Sequence, residues 1–436
     1  MPQIKAFAGS HYNPEIINDL STVTAPPYDV ITGPLKEELT ARSPYNVIRL
    51  ILGKAAQEAG TARPQSEFAE AAKTFKQWLA EKVLIDDPTP ALYNLEEEFE
   101  AVGKRYCRRG FIGRLKLDKE KGSVRPHEQT LNAPKEDRLE LTRHCKANFS
   151  QIFTLYEDKK NVVEDAFFKA RSAEPMLTFT ESGITRRLWR ITDPEAILIA
   201  KTHLADREIF IADGHHRYET ALLYQQERNT ATQELSEDQP WNYVMSYFSS
   251  MSSPGLAILP THRMLANFPT PPADELRKHL AEFFTIKECS SDTAEIPRLL
   301  ALLEEQKELS SFIFLAENFD APLLLTLKRE AAARILDKLP ESLAALDVSV
   351  LQQLVFNHIL KISTDDMERQ RYTRYTQDAA AAIAAVKEGS AQIAVLLKST
   401  LIEQVREVAR DGEKMPQKST FFYPKLATGL LISRLD

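Results

Sequence analysis

Five consecutive residues, Asp213, Gly214, His215, His216 and Arg217, carry most of the chemistry that the sequence offers in one place. An apolar, β-branched run precedes them and a helical spacing of apolar residues follows, which predicts a strand, a glycine turn and a helix. Cations in a first helical turn lie at the positive end of the helix dipole and are favourable there when an anion lies between them. The turn therefore predicts phosphate or nucleotide binding, ahead of the alternative in which these side chains pair with neighbouring carboxylates.

A second group of reactive side chains lies in RPHEQT (125–130), where Arg125, His127 and Glu128 fall together. A helical zinc motif would need a second histidine four residues after the first, and that position is Leu131. Thiol ligands are absent at useful spacing. A carboxylate framed by cations suits a general base or a divalent-cation ligand, so Glu128 is a candidate for either role. The alternative is a surface turn whose charges satisfy one another.

Two further pairs leave their roles open. Asp29 in PPYDVI and Arg49 in PYNVIRL are either a structural ion pair or site residues, and residues 47–52 are predicted to form a strand. The pair His262-Arg263 in LPTHR either closes the same site or lies in a solvated loop. Both pairs could belong to one anion site.

Near the C-terminus, Lys418, Ser419 and Thr420 lie in an aromatic-rich segment. They do not form a P-loop, because the glycine frame of that motif is missing. These polar residues either contact a phosphate or are part of a packed terminal strand pair.

The elements that position these residues follow from periodicity. Residues 64–82 predict an amphipathic helix, and residues 84–117 predict a hairpin that turns at Val102-Gly103. From about residue 268 helices and strands alternate, with one helix over 349–361, which predicts a separate α+β domain.

Composition limits the class of protein. The net charge of −7 and a pI near 5.9 argue against broad nucleic-acid binding. No stretch is long and apolar enough for a transmembrane helix, and the N-terminus lacks the apolar region of a signal peptide. Three widely spaced cysteines fit a reducing compartment. A cytoplasmic enzyme without a nucleic-acid or membrane partner is the expectation.

Seven segments together carry a family resemblance. In chain order, the sequence resembles the bacterial domain-of-unknown-function family 1015 in PPYDVI, PYNVIRL, RPHEQT, IADGHHRYETAL, LPTHR, LDV and MPQKSTFFYPK. This likeness runs over essentially the whole chain. Within it, residues 92–228 are similar to the ParB/sulfiredoxin superfamily and, inside that superfamily, to the free serine kinases.

The resemblance implies an α+β fold: a ParB/sulfiredoxin-like mixed core over 91–265, an N-terminal segment over 1–90 and a C-terminal α+β domain over 266–436. It implies a kinase that transfers a phosphoryl group from ATP or ADP to the hydroxyl of free L-serine or a similar metabolite. Glu128 would take the catalytic carboxylate position, assisted by His127 and Asp213. The turn at 213–217 would grip the nucleotide phosphates, with Arg125 and Arg49 as further cationic contacts.

Phosphoryl transfer needs in-line positioning, cations near the migrating charge and a carboxylate at the hydroxyl. The acids Asp29 and Asp213 are therefore candidates to hold Mg²⁺, which uses only one or two carboxylates.

The rivals are a ParB-like nucleotide-hydrolysing switch and a nucleotide sensor without metabolite kinase activity. A sulfiredoxin-like reductase would need a thiol in the turn, where His215 stands instead. The oligomeric state, a homodimer included, stays open.

Overall fold

A computed structural model describes residues 1–53, 63–118, 122–128, 132–231, 236–290, 296–305 and 310–436. The chain divides into two compact units. The first contains Met1–Pro126, Thr130–Ala257 and Pro424–Asp436, and the second contains His127–Gln129 and Ile258–Tyr423. Each unit mixes helices with largely antiparallel strands, which confirms the predicted α+β class. No helix among the described residues is long and apolar enough to cross a membrane.

The first unit is built on a nine-stranded sheet. The strands of the unit, inside and outside this sheet, are β1 Ile4–Lys5, β2 Ser10–Tyr12, β3 Leu84–Asp86, β4 Leu92–Ala101, β5 Lys104–Lys116, β6 Val124–Arg125, β7 Ala147–Asn148, β8 Ile152–Tyr156, β9 Leu177–Glu181, β10 Ile184–Ile191, β11 Ile209–Asp213 and β12 Tyr243–Ser250. The order in the main sheet is β6-β11-β8-β12-β5-β4-β10-β9, with β1 on β5. Strands β11 and β8 lie side by side, which matters below because both contribute to the site.

Seven helices belong to this unit. They are α1 Gly33–Arg42, α2 Ile48–Ile51, α3 Gln65–Ala80, α4 Asn132–Cys145, α5 Val162–Ala170, α6 Pro194–Ala205 and α7 His215–Ala231. Helix α3 confirms the amphipathic prediction, since its buried side chains Phe68, Ala71, Phe75 and Trp78 recur at three-and-four spacing.

The β4–β5 hairpin turns at Val102-Gly103, as predicted. Both turn residues have positive φ, 49° and 69°, which is the geometry that matches the twist of a two-residue hairpin. Val102 is an unusual occupant of such a turn, because a β-branched side chain is strained there. Glycine at the second position supplies the freedom that the turn needs.

The predicted strand over 47–52 is wrong, because Ile48–Ile51 forms helix α2. The Asn46 side chain accepts from the Ile48 backbone N–H at 2.9 Å and donates to the carbonyls of Thr22 and Thr24. These hydrogen bonds fix the turn that precedes the helix, and the apolar side chains of the run are buried. A short, fully buried apolar run has no periodicity that distinguishes helix from strand.

The C-terminal segment returns to the first unit. Residues of β2 and of Pro424–Asp436 exchange backbone hydrogen bonds, with Ser10 N–H donating to the Ile432 carbonyl at 2.9 Å. A short strand, β21 Ser433–Arg434, pairs with β7. This return brings Lys425 into the unit that holds the turn at 213–217.

The second unit contains a six-stranded sheet of order β15-β17-β16-β19-β14-β18. The strands of this part of the chain, inside and outside that sheet, are β13 Ala257–Leu259, β14 His262–Leu265, β15 Phe284–Glu288, β16 Ser311–Ala316, β17 Leu323–Leu327, β18 Thr373–Thr376, β19 Ile393–Leu396 and β20 Phe421–Tyr423. Its helices are α8 Ala273–Phe283, α9 Ile296–Glu305, α10 Arg329–Leu336, α11 Glu341–Ala344, α12 Asp347–Val350, α13 Thr364–Glu368, α14 Ala379–Lys387 and α15 Ile402–Arg410.

The helix predicted over 349–361 is present but is not an α-helix along its length. After α12, residues Leu351–Ile359 form a π-helix. Such wide helices are rare and occur frequently at functional sites. Leu354, Val355 and Phe356 from this segment are buried in the core of the unit.

Candidate functional site

The strand, turn and helix predicted around Asp213 are present. Strand β11 ends at Asp213 and α7 begins at His215. Gly214 between them has φ +91°, and a Cβ added there would lie 2.8 Å from Nη2 of Arg217. Glycine is therefore required twice, for the backbone angle and for the close approach of the Arg217 guanidinium.

Asp213 binds two cations, one with each carboxylate oxygen. Lys425 Nζ donates to Oδ1 at 2.6 Å, and Arg217 Nη2 donates to Oδ2 at 2.9 Å. The side chains of Lys425 and Arg217 are only 14% and 11% exposed. Two sheltered cations thus converge beside the N-terminus of α7, where backbone N–H groups also point outward.

Arg217 also ties the helix to the start of strand β8. Its Nη1 donates to the Gln151 carbonyl at 2.5 Å and to Ser150 Oγ at 3.1 Å. Three partners hold the guanidinium in one orientation, so this cation is fixed before any ligand arrives. Fixed donors are the kind that stabilise a charged ligand without reorganisation.

A pocket in the first unit extends from Arg217 along one face of α7. Its polar lining includes Tyr28, Arg138, Ser150 and Arg217, together with Thr142, Asn148, Thr220 and Thr428. The rest is mainly apolar and aromatic, with Leu141, Phe149, Tyr224, Trp241, Tyr243 and Val244. Such a slot, apolar along its length and cationic at one end, suits a planar apolar group that carries an anion.

Tyr28 and Arg138 form one wall of this pocket. The Arg138 guanidinium lies 4.4 Å from the centroid of the Tyr28 ring and donates to the Ile51 carbonyl at 2.7 Å. Burial raises the pKa of Tyr28, and the negative charges of Asp29 and Asp213 act in the same direction. Tyr28 is therefore a neutral hydrogen-bonding group beside two arginines.

The remaining predicted residues of the first unit lie in different surroundings. His215 is buried and His216 is half-buried, both in the first turn of α7. Arg125 forms an ion pair with Glu208 at 3.2 Å. Asp29 is exposed.

Arg49 is not the ion-pair partner of Asp29. It donates instead to the Thr40 carbonyl at 2.9 Å and to the Ser43 carbonyl at 3.4 Å. These carbonyls lie at the C-terminal end of α1, where a cation is favourable. Arg49 therefore has a structural task, and the role in phosphate binding predicted for it stays a prediction.

In the second unit, His127 and Glu128 contact the segment that contains Lys418. The Lys418 backbone N–H donates to Glu128 Oε1 at 3.2 Å, and Met415 N–H donates to the His127 carbonyl at 2.8 Å. His127 is buried, with Nε2 3.4 Å from Thr420 Oγ1. Two motifs far apart in sequence therefore form one local structure around Glu128.

The serine and threonine of the segment 418–420 support the backbone. Ser419 Oγ donates to the Pro416 carbonyl at 2.5 Å, and both hydroxyl residues are buried. Among the alternatives left open by the sequence, the packed arrangement fits these side chains.

His262 and Arg263 are not in a solvated loop. Both belong to β14 and are buried, at 1% and 4% exposure. The Leu397 backbone N–H donates to Nδ1 of His262 at 3.2 Å, and burial lowers the pKa of His262 to about 4. His262 is consequently neutral at physiological pH.

The geometry bears on the predicted magnesium ligands. Both oxygens of Asp213 accept from cations, and the role of Asp213 as a magnesium ligand stays a prediction. In the described ranges, three metal-ligating side chains come together at Glu96, Glu98 and Cys107, and Glu96 there binds Arg109 and Arg187. That cluster is an ion-pair network rather than a metal centre.

Lys425, Arg138 and Tyr28 are the site residues that sequence reasoning missed. Lys425 lies in MPQKSTFFYPK and Tyr28 in PPYDVI, so both were within recognised segments. Nothing local indicates that either side chain faces Arg217, because the contacts join residues that are distant in sequence.

The fold and site define an α+β protein with a cationic strand-turn-helix pocket. A family model described as "Protein of unknown function (DUF1015)" matches residues 4–349, and the chain belongs to that family. No curated protein matches the chain.

Three solved structures give distant matches at 12% identity, each covering 70% of this chain. One is a conserved hypothetical protein from Pyrococcus furiosus, of which 89% is covered, with a TM-score of 0.32. A free serine kinase in complex with AMP and a mutant free serine kinase in complex with ADP are each covered over 85%, with TM-scores of 0.33 and 0.35. A likeness at this level leaves the chemistry of the site to its own residues, and the ParB/sulfiredoxin-like core stays a prediction.

Proposed function

We propose that the protein is a cytoplasmic small-molecule kinase whose first unit binds the phosphates of ATP or ADP at the turn 213–217. The observation that carries the proposal is the convergence of Arg217 and Lys425 on Asp213 beside the N-terminus of α7. Two cations share one carboxylate there, and a phosphate held between them and the backbone N–H groups would be favourable at that end of a helix.

The pocket next to Arg217 supports a nucleotide rather than inorganic phosphate. Phe149, Tyr224 and Trp241 offer apolar surface for a base, and Arg138 and Tyr28 offer polar contacts beside it. Binding of the base would position the phosphate chain toward the cations, which is the main requirement of phosphoryl transfer.

The acceptor in the proposal is free L-serine or a similar hydroxylated metabolite, as the family resemblance implies. Glu128 keeps its predicted role as the carboxylate that takes the hydroxyl proton, and the roles of His127 and Arg125 remain predictions with it. Magnesium would enter with the nucleotide phosphates, since it retains several waters and needs few protein ligands. Asp213 and Asp29, of which Asp29 is exposed, remain the carboxylate candidates for it.

Nucleotide binding is tested by calorimetric titration of the full chain with ATP and with ADP, with Mg²⁺ present. Lys425→Met should weaken binding roughly ten- to hundredfold, because it removes a charged hydrogen-bond donor near the phosphates. The control is Lys116→Met, which breaks an ion pair with the exposed Glu237 elsewhere in the unit. Unchanged affinity in Lys425→Met would refute the phosphate site.

Turnover is tested by nucleotide consumption across a panel of hydroxylated metabolites, with Glu128→Ala as the inactive variant. L-Serine or a close analogue should stimulate consumption in the wild type by a factor well above the Glu128→Ala background. If the chain binds nucleotide but no metabolite stimulates its consumption, the proposed kinase activity is wrong and the nucleotide sensor is the function that fits.

A further inference from the structure

Arg263 in strand β14 is a buried cation that has no carboxylate partner among the residues that the structure describes. Its residue exposure is 4%. Nη1 donates to the Thr261 carbonyl, Nη2 donates to the Lys418 carbonyl at 3.1 Å, and the guanidinium lies 5.7 Å from the centroid of the Tyr375 ring. Within the part of the chain that the structure describes, no acidic side chain pairs with it. A buried charge without a counter-ion is costly, so its presence needs a reason.

Loss of a proton does not remove this cost. Burial lowers the pKa of Arg263 to about 10, and the facing Tyr375 acts in the opposite direction. The guanidinium therefore stays charged at physiological pH. The charges of Glu128 and Lys418 also act on the pKa of Tyr375, Glu128 raising it and Lys418 lowering it. The Glu128 carboxylate accepts a hydrogen bond from the Lys418 backbone N–H.

Arg263 borders a pocket that lies wholly within the second unit and has a volume of about 50 Å³. The polar lining consists of Arg263, Tyr375, Gln352, Thr364 and Gln417, and the apolar lining consists of Val348, Phe356, Met367 and Pro416. The amide nitrogen of Gln417 is buried there without an acceptor. A cation and an unsatisfied donor thus flank one pocket.

Two of the lining residues, Gln352 and Phe356, come from the π-helix Leu351–Ile359. The wider helix changes which side chains face the sheet, and such segments occur frequently where a ligand binds. This is an observation independent of the charge of Arg263.

We propose that this pocket binds a small organic carboxylate through Arg263. A guanidinium matches the two oxygens of a carboxylate with parallel hydrogen bonds. The Gln417 amide would donate to the same group, and Val348, Phe356 and Met367 would cover a short hydrocarbon portion. A phosphate would leave that apolar wall unused. The inference is independent of the proposed kinase function, since it concerns a pocket formed by the second unit alone.

The experiment is calorimetric titration of the full chain with propionate and with L-lactate, each against sodium chloride at matched ionic strength, and with inorganic phosphate as the competing anion. At least one carboxylate should bind with one site per chain and more tightly than phosphate. Arg263→Met should weaken that binding roughly ten- to hundredfold. The matched control is Arg374→Met, which removes an exposed guanidinium from the neighbouring strand β18 and should leave affinity unchanged.

A second variant keeps the test decisive if Arg263→Met does not fold. Gln352→Trp places a bulky ring in the pocket without touching the charge, and it should abolish carboxylate binding while the chain stays folded by circular dichroism. The proposal is overturned if neither carboxylate binds better than chloride, if phosphate binds and the carboxylates do not, or if Gln352→Trp binds as the wild type does.

Discussion

Arg217 in the first unit and Arg263 in the second are both sheltered from water, yet they differ in what neutralises them. Arg217 shares the Asp213 carboxylate with Lys425 and also binds the start of β8. Arg263 binds two backbone carbonyls and faces an aromatic ring. A carbonyl satisfies a donor without cancelling a charge, so hydrogen bonding alone does not make the two sites equivalent.

The comparison shows how to separate a structural arginine from a ligand-binding one. Arg217 is held by Asp213, Ser150 and Gln151, and in the proposed function a phosphate would be one more partner. The arginine at 263 completes its own neutralisation only when an anion arrives. Four experiments test this distinction, and they follow in order of decreasing expected effect on the free energy of unfolding.

Glu97→Gln should cost the most, about 3–5 kcal/mol of unfolding free energy. Glu97 is fully buried and accepts from Arg108 Nε at 2.9 Å and from Arg186 Nε at 3.1 Å. The variant leaves both arginines in the interior without a carboxylate, as Arg263 is. Urea unfolding measures the loss. Glu98→Gln, on the same strand but half exposed, is the control and should change stability by about 1 kcal/mol or less. Equal effects in the two variants would mean that this protein tolerates buried cations without carboxylates, and the argument for Arg263 would fail.

Glu164 on α5 tests the opposite case, a sheltered carboxyl that can lose its charge. Burial raises its pKa to about 7, against the hydrogen bond from Asn94. The pKa of Glu164 is higher in the folded chain than in the unfolded chain. Its contribution to the free energy of unfolding is therefore fully present below about pH 4.5 and is lost as pH rises through 7. Glu164→Gln should remove this loss. Relative to the wild type, the free energy of unfolding of the variant should rise by up to roughly 3 kcal/mol from acidic to alkaline pH. Urea unfolding across pH measures it, with Asp165→Asn on the exposed face of α5 as the control. A pH-independent difference between variant and wild type would contradict the prediction.

Gly214→Ala should cost roughly 1–3 kcal/mol, because a side chain at φ +91° is strained and would displace Arg217. Thermal unfolding measures stability, and ATP titration should show weaker binding in the variant. Gly33→Ala is the matched control, since its Cβ would meet no atom within 4 Å. A Gly214→Ala protein with full stability and affinity would remove the turn from the site.

Arg217→Met and Arg263→Met compare the two arginines directly. Removing Arg217 strips Asp213 and Gln151 of a donor and should cost about 1–2 kcal/mol. Removing Arg263 also relieves an uncompensated buried charge, so its loss of stability should be smaller and close to zero without ligand. Urea unfolding of both variants in chloride buffer decides the order. If Arg263→Met is the less stable of the two, Arg263 is mainly structural.

Sequence patterns predicted those parts of the molecule that local chemistry controls. The hairpin at Val102-Gly103, the helix α3 and the strand-turn-helix at Asp213 each follow from turn residues or periodicity within one segment. The family was also recognisable, since its motifs are short and contiguous.

The errors have a common origin in burial. Residues 47–52 are mostly apolar and partly β-branched, which favours a strand locally, but the hydrogen bonds of Asn46 and the burial of the run accompany a helix, α2. The π-helix after α12 was equally hidden, because its wider turns are decided by packing against the sheet rather than by spacing.

What the sequence determined by itself is the strand-turn-helix at 213–217, because a strand, a glycine and a cationic first turn are all local features. Only the tertiary structure decided which cations and carboxylates meet. Lys425 reaches Asp213 across 212 residues, and Lys418 reaches Glu128 across 290. It also decided that Arg263 has no carboxylate partner among the residues that the structure describes, since charge compensation in an interior depends on every element packed around a side chain and not on its neighbours in sequence.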